Sequence, residues 1–148
     1  MTQPQIFQRV CIATDGSDES MKAANLAINI AKMNQAEVYV IYVIDDKVVE
    51  KILSMSRKTA EEVREEYSHS GNSILQFIKN LAKKAGLKAE VQLDEGYPSE
   101  KITGYVRKIR ADLLVIGHQI KKKSRIVALG SRTVRMIELT DCPILIVK

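Results

Sequence analysis

A chain of 148 residues, 45% apolar and 28% charged, has the size and make-up of one globular domain that can bury a sizeable core. Its net charge of +5 permits polyanionic partners without requiring them. Met1 to Gln8 lacks the charged-then-apolar plan of a secretory signal, and no apolar run approaches bilayer length, so the expectation is a cytoplasmic protein with no membrane span.

Val10 to Thr14 is a short apolar run that stops at Asp15-Gly16-Ser17, as a strand ending in a turn does. Ser17 is placed to cap a helix, with Asp18 and Glu19 where the helix dipole favours negative charge. Ala23, Ala27, Ile30 and Ala31 keep helical spacing to about Met33. Val38 to Ile44 is seven consecutive apolar residues, the pattern of a central strand covered on both faces, and Asp45-Asp46 ends it. From Lys47 to about Ala85 the pattern is helical in two pieces. Thr59 and Glu62 form a capping-box pair for the longer piece, Ile74, Ile78, Leu81, Ala82 and Ala85 make its buried stripe, and Gly86 is its terminator. Ala89 to Leu93 alternates as an edge strand does. Ser99 is expected to cap a third helix with the stripe Ile102, Val106 and Ile109. Leu113 to Ile116 is the fourth strand, Ser131 to about Leu139 the last helix, and Ile144 to Val147 the fifth strand.

Strands alternating with helices predict an α/β fold: one doubly wound domain over 1–148, with a mainly parallel five-stranded sheet and helices on both faces. Ligands in such sheets bind at the carboxyl ends of the strands, where Asp15, Val43 and Gly117 fall. Gly117, ending a strand, and Gly130-Ser131, opening a helix, are what a phosphate-holding loop needs: close backbone approach and unpaired helical N–H groups. The basic run Lys121-Lys122-Lys123-Ser124-Arg125 lies between them. Few aromatics accompany it and no nucleic-acid module is recognisable, so the run argues for a solvated loop ahead of a nucleic-acid interface.

Cys11 and Cys142 fall at or beside buried strands, with no His or Cys at ligand spacing, so free thiols and no metal site are expected. His69 and His118 have no Ser, Cys or carboxylate at catalytic spacing, and no nucleophile elbow or Walker lysine occurs, so no catalytic residue is assigned. Ile144 to Val147 carries no charge to guard an edge, which invites pairing with another chain.

Five segments together resemble the universal stress protein family. They are Ala13-Thr14-Asp15-Gly16-Ser17, Val43-Ile44-Asp45, Ala111-Asp112-Leu113-Leu114-Val115-Ile116-Gly117, Gly130-Ser131-Arg132-Thr133 and Asp141-Cys142-Pro143-Ile144-Leu145-Ile146-Val147. The resemblance implies a strand order 3-2-1-4-5 and an adenine nucleotide, ATP or AMP with or without Mg2+, in a stress or energy-state module. By the same resemblance Asp15 and the backbone of Val43 meet adenine, Ala13 lines that pocket, and Ile116 and Gly117 lie against the nucleoside. Gln119 is near the loop, and Gly130, Ser131, Arg132 and Thr133 hold phosphates. It also implies a symmetric homodimer through Ile144, Leu145, Ile146 and Val147.

The family's ATP-binding branch has glycine at the middle position of this loop, where this chain has Ile120, and Gly117-His118-Gln119 is similar to the branch that does not bind ATP. The alternative is therefore a homodimeric interaction protein of the same fold without nucleotide. A slow ATP hydrolase is the third reading.

Overall fold

The computed structural model describes residues 5–118 and 130–148. Gln119, Ile120 and the basic run Lys121 to Arg125 lie outside the described residues. The elements alternate as β1 (Arg9–Thr14), α1 (Asp18–Asn34), β2 (Glu37–Asp45), α2 (Asp46–Met55), α3 (Ala60–Lys84), β3 (Ala89–Gly96), α4 (Pro98–Ile109), β4 (Leu113–Gly117), α5 (Ser131–Leu139) and β5 (Ile144–Val147). The five strands form one sheet in the order β3-β2-β1-β4-β5, and every pairing is parallel. This is the expected doubly wound α/β architecture, with the alternating strand β3 at one edge and β5 at the other.

The continuous apolar run of β2 is explained by cover on both faces. Val38, Val40, Tyr42 and Ile44 join one core with α1, α2 and α3. Ile41 and the partly buried Val43 belong to a second core with Ile102 and Val106 of α4 and Met136 of α5. The alanine face of α1, namely Ala23, Ala24, Ala27 and Ala31, is fully buried, so this helix sits close on the sheet. Gly71 brings α3 similarly near, since a Cβ there would lie 2.8 Å from Tyr42 Cδ1.

Local signals set most of the boundaries. Ser17 caps α1 by accepting from the Ser20 N–H at 3.2 Å, and Thr59 caps α3 by accepting from the Glu62 N–H at 3.2 Å. Beyond Ala85, Gly86 takes φ of 80°, the left-handed conformation that ends α3. One expected cap is corrected. α4 starts with Pro98 after Tyr97, and Ser99 lies inside its first turn, where its carbonyl accepts from Thr103 Oγ1 at 2.8 Å. Proline, with its φ already helical and no N–H to leave unmet, begins the helix two residues before the serine could. At the amino end of the sheet the Asp112 carboxylate accepts from the Gln8 and Arg9 N–H groups at 2.8 and 3.0 Å, fastening the start of β1 beside β4.

Candidate functional site

A cleft of about 660 Å³ opens at the carboxyl ends of β1, β2 and β4. Its walls are the β1–α1 turn, the end of β2, the start of α4, the end of β4 and the first turn of α5. Of the ten residues expected at a ligand site, nine line this cleft: Ala13, Asp15, Val43, Ile116, Gly117, Gly130, Ser131, Arg132 and Thr133. The tenth, Gln119, lies outside the described residues. A smaller cavity of about 360 Å³ at the amino ends of β4 and β5, lined by Arg107, Arg110 and Cys142 among others, holds none of them.

The β1–α1 wall is built by a directional chain of hydrogen bonds. The Gly16 N–H donates to Thr14 Oγ1 at 3.2 Å. Thr14 Oγ1 and Ser20 Oγ are 2.9 Å apart, and Ser20 Oγ donates to the Ser17 carbonyl at 2.9 Å. With its proton committed to that carbonyl, the Ser20 oxygen is left to accept from Thr14. Thr14 and Ser20 are both buried, and each hydroxyl gives and takes one bond, so neither is left unmet. Gly16 takes φ of 82°, which lets the chain turn from strand into helix here. The Ser17 N–H donates to Asp15 Oδ1 at 2.9 Å, setting the Asp15 side chain as a turn former at the cleft. Burial first, and then the charges of Tyr67 and Asp15, raise the pKa of the neighbouring Tyr42 phenol above its ordinary value.

The α5 wall has a different character. Gly130 is its N-cap with φ of −62° and ψ of 155°, and it offers no side chain to the first-turn amides. Ser131 is the first helical residue, so its hydroxyl is not the cap. No acidic residue occupies the first turn, in contrast to α1 through α4. The first turn of α5 therefore lines the cleft with the positive end of the helix dipole and no acidic residue of its own.

Gly117 closes the floor, and the packing of α1 gives it a reason the sequence did not show. A Cβ there would lie 2.6 Å from the Glu19 carbonyl carbon and 2.7 Å from both the Glu19 oxygen and the Ser20 nitrogen. The glycine is demanded by the backbone of α1 before any ligand is considered. His118, 3% exposed, follows it in the lining, and its backbone N–H donates to the Val147 carbonyl at 2.8 Å.

Three contributions escaped the sequence reading. Tyr97, Pro98, Ser99 and Ile102 bring the start of α4 into the cleft, which the position of Gly96-Tyr97-Pro98 at the carboxyl end of β3 could have signalled. Thr14 and Ser20 form the buried hydroxyl chain. Finally, Arg132 reaches across the cleft and donates from Nη2 to Oδ2 of Asp45, at the end of β2. Asp45 Oδ1 accepts from the Lys47 N–H at 3.0 Å, capping α2.

Among the described residues no group of three or more His, Cys, Asp or Glu could hold a metal ion, and no helix is long and apolar enough to cross a membrane. The sequence model of the universal stress protein family matches residues 6–148. Universal stress protein MJ0531 of Methanocaldococcus jannaschii is 37% identical over 144 residues, which cover 97% of this chain and 83% of that protein. Among solved structures, hypothetical protein MJ0577 superposes with a TM-score of 0.80 at 22% identity, covering 97% of this chain and 96% of its own. A universal stress protein in complex with cAMP gives 0.68 at 24% identity, with 95% and 96% covered. The Archaeoglobus fulgidus universal stress protein in complex with dAMP gives 0.66 at 20%, with 97% and 99% covered.

Proposed function

The chain belongs to the universal stress protein family, and from that premise we propose that it is one nucleotide-binding domain over 1–148. It holds ATP or AMP in the cleft at the ends of β1, β2 and β4 and acts in the cytoplasm as a stress or energy-state module. One observation carries this reading: a cleft of about 660 Å³ meets an α5 N-terminus with neither a side-chain cap nor an acidic first turn. That volume falls within the range of about 300–1,000 Å³ usual for small-molecule sites. The cAMP and dAMP complexes of proteins with the same fold support an adenine nucleotide as the occupant.

In this reading Asp15 and the backbone N–H and C=O of Val43 meet the adenine, and Ala13 lines that pocket. Ile116 and Gly117 lie against the nucleoside. Gly130, Ser131, Arg132 and Thr133 receive phosphates through first-turn N–H groups and side-chain donors. Mg2+ enters as the companion ion of ATP, held through phosphate oxygens. Titration calorimetry with ATP and AMP on nucleotide-stripped protein tests the reading. Binding of either with a matching thermal shift is expected, and no heat and no shift with both overturns it.

A second reading has its own observation. β5 is an edge strand of four apolar residues, Ile144, Leu145, Ile146 and Val147, each only half-buried in the isolated chain. We propose that it pairs with its symmetry copy to form a homodimer. Sedimentation equilibrium at micromolar concentration should give twice the 16.6 kDa of the chain, and a monomer would overturn it. A dimer that binds no nucleotide would leave the interaction-protein alternative standing.

A further inference from the structure

Arg132 sits where a helix is least hospitable to a cation, at the second residue of α5 beside the positive end of the dipole. Nothing in the first turn of α5 offsets it. The compensation comes from Asp45, at the end of β2 on the far side of the cleft. The two partners are unequally held. The Asp45 side chain is 9% exposed and has its other oxygen fixed by the Lys47 N–H, whereas the Arg132 side chain is 49% exposed. Asp45 is thus the anchor and Arg132 the movable member. A guanidinium carries five N–H donors in a plane suited to phosphate oxygens, and only the Nη2 group is engaged by Asp45. Lys47 and Arg135 also line this part of the cleft. A placement that is locally unfavourable and, among the described residues, satisfied across the cleft is what a site-specific role looks like.

Resting on the nucleotide reading above, we propose that Arg132 is the phosphate-discriminating residue of the cleft and Asp45 its internal competitor. In the empty chain Asp45 occupies the guanidinium and neutralises it. A nucleotide whose phosphates reach the α5 N-terminus takes the guanidinium from Asp45, and a nucleoside does not. The pair therefore sets how strongly the site prefers nucleotides over adenosine, and the preference grows with the phosphate charge available to outcompete one carboxylate.

The experiment is calorimetric titration of ATP, AMP and adenosine into the intact protein and three variants, Arg132→Ala, Asp45→Asn and the double substitution. Asparagine retains an oxygen that can cap α2, so Asp45→Asn removes the charge with little disturbance of the helix start. Arg132→Ala should weaken ATP roughly tenfold, the scale of a charged hydrogen-bonded contact, while adenosine stays within about twofold. Asp45→Asn should strengthen ATP several-fold, leave adenosine alone, and lose that effect when Arg132 is already alanine. A pair that merely braced the fold would lower the Tm and weaken ATP and adenosine in parallel. That pattern, or an unchanged ATP-to-adenosine ratio in both single variants, overturns this proposal while the nucleotide reading stands. Absence of binding by any of the three ligands to any form overturns both.

Discussion

Replacing Gly117 by alanine should destabilise the protein through one contact. Gly117 is not in the left-handed region, so its backbone accepts a side chain without strain. The added methyl would lie 2.6 Å from the Glu19 carbonyl carbon, short of an ordinary 3.4 Å contact by about 0.8 Å. The obstacle is helix backbone, which no rotamer change can relieve. The helix itself cannot retreat without opening the fully buried alanine face along its length. Overpacking of this kind costs about 1–3 kcal/mol. The smaller unfolded-state entropy of alanine returns about 0.4–1 kcal/mol. The net loss is about 1–2 kcal/mol, or roughly 3–6 °C in Tm for a domain of this length.

Gly130→Ala is the control. Its φ of −62° and ψ of 155° suit any residue, and no heavy atom of the described residues lies within 4 Å of the added Cβ. Its stability should stay within about 0.5 kcal/mol of the parent, or rise slightly, while nucleotide affinity falls because the methyl intrudes on the phosphate approach. Urea denaturation followed by circular dichroism, at fixed protein concentration, measures the stability of both variants, and titration calorimetry measures the affinity. If Gly117→Ala costs no more than Gly130→Ala, close packing of α1 on β4 is not what requires the glycine.

Burial holds the Cys11 thiol well above its ordinary value of 9.0, with the neighbouring Cys142 adding to the rise. A raised folded-state pKa gives stability that is whole below about pH 9 and drains away as pH climbs further, by up to about 1.4 kcal/mol per pH unit for one group. Cys11→Ala should flatten the loss between pH 9.0 and the tyrosine range near 10.0, where Tyr42 and Tyr105 repeat the effect; equal slopes in both proteins would refute this. Asp112→Ala removes the acceptor of two N–H groups at the start of β1 and should cost about 1–2 kcal/mol, with faster hydrogen exchange at Arg9 as its local sign. Ile120→Gly should strengthen or create ATP binding, since a β-branched residue disfavours the positive φ and close approach that glycine permits at this loop position; unchanged calorimetry would clear that side chain as an obstacle.

What the sequence made legible was local or periodic. Seven apolar residues from Val38 to Ile44 announced a strand covered on both faces because burial on each side leaves no position for a polar residue. Ser17 and Thr59 marked helix starts because capping is a three-residue affair. Ser99 misled because Pro98 began the helix earlier. The cleft was legible in outline because the ends of β1, β2 and β4 were expected to converge, and nine positions named from that pattern and from the family resemblance do line it. Two of its features were not legible. The closeness of Gly117 to Glu19 is a tertiary approach with no signature in either segment. The Arg132–Asp45 pair joins residues 87 apart in the chain, and nothing in either segment signals the other.

The run of bonds from Gly16 through Thr14 and Ser20 to the Ser17 carbonyl has a consequence for how the cleft meets a ligand. Because each hydroxyl in it is both donor and acceptor, the β1–α1 turn holds its shape before anything arrives. A ligand touching that wall has little left to order there. If the cleft takes a nucleotide as proposed, differences in affinity between one ligand and another are expected from the opposite wall, where among the described residues α5 has no side-chain cap and Arg132 reaches to Asp45.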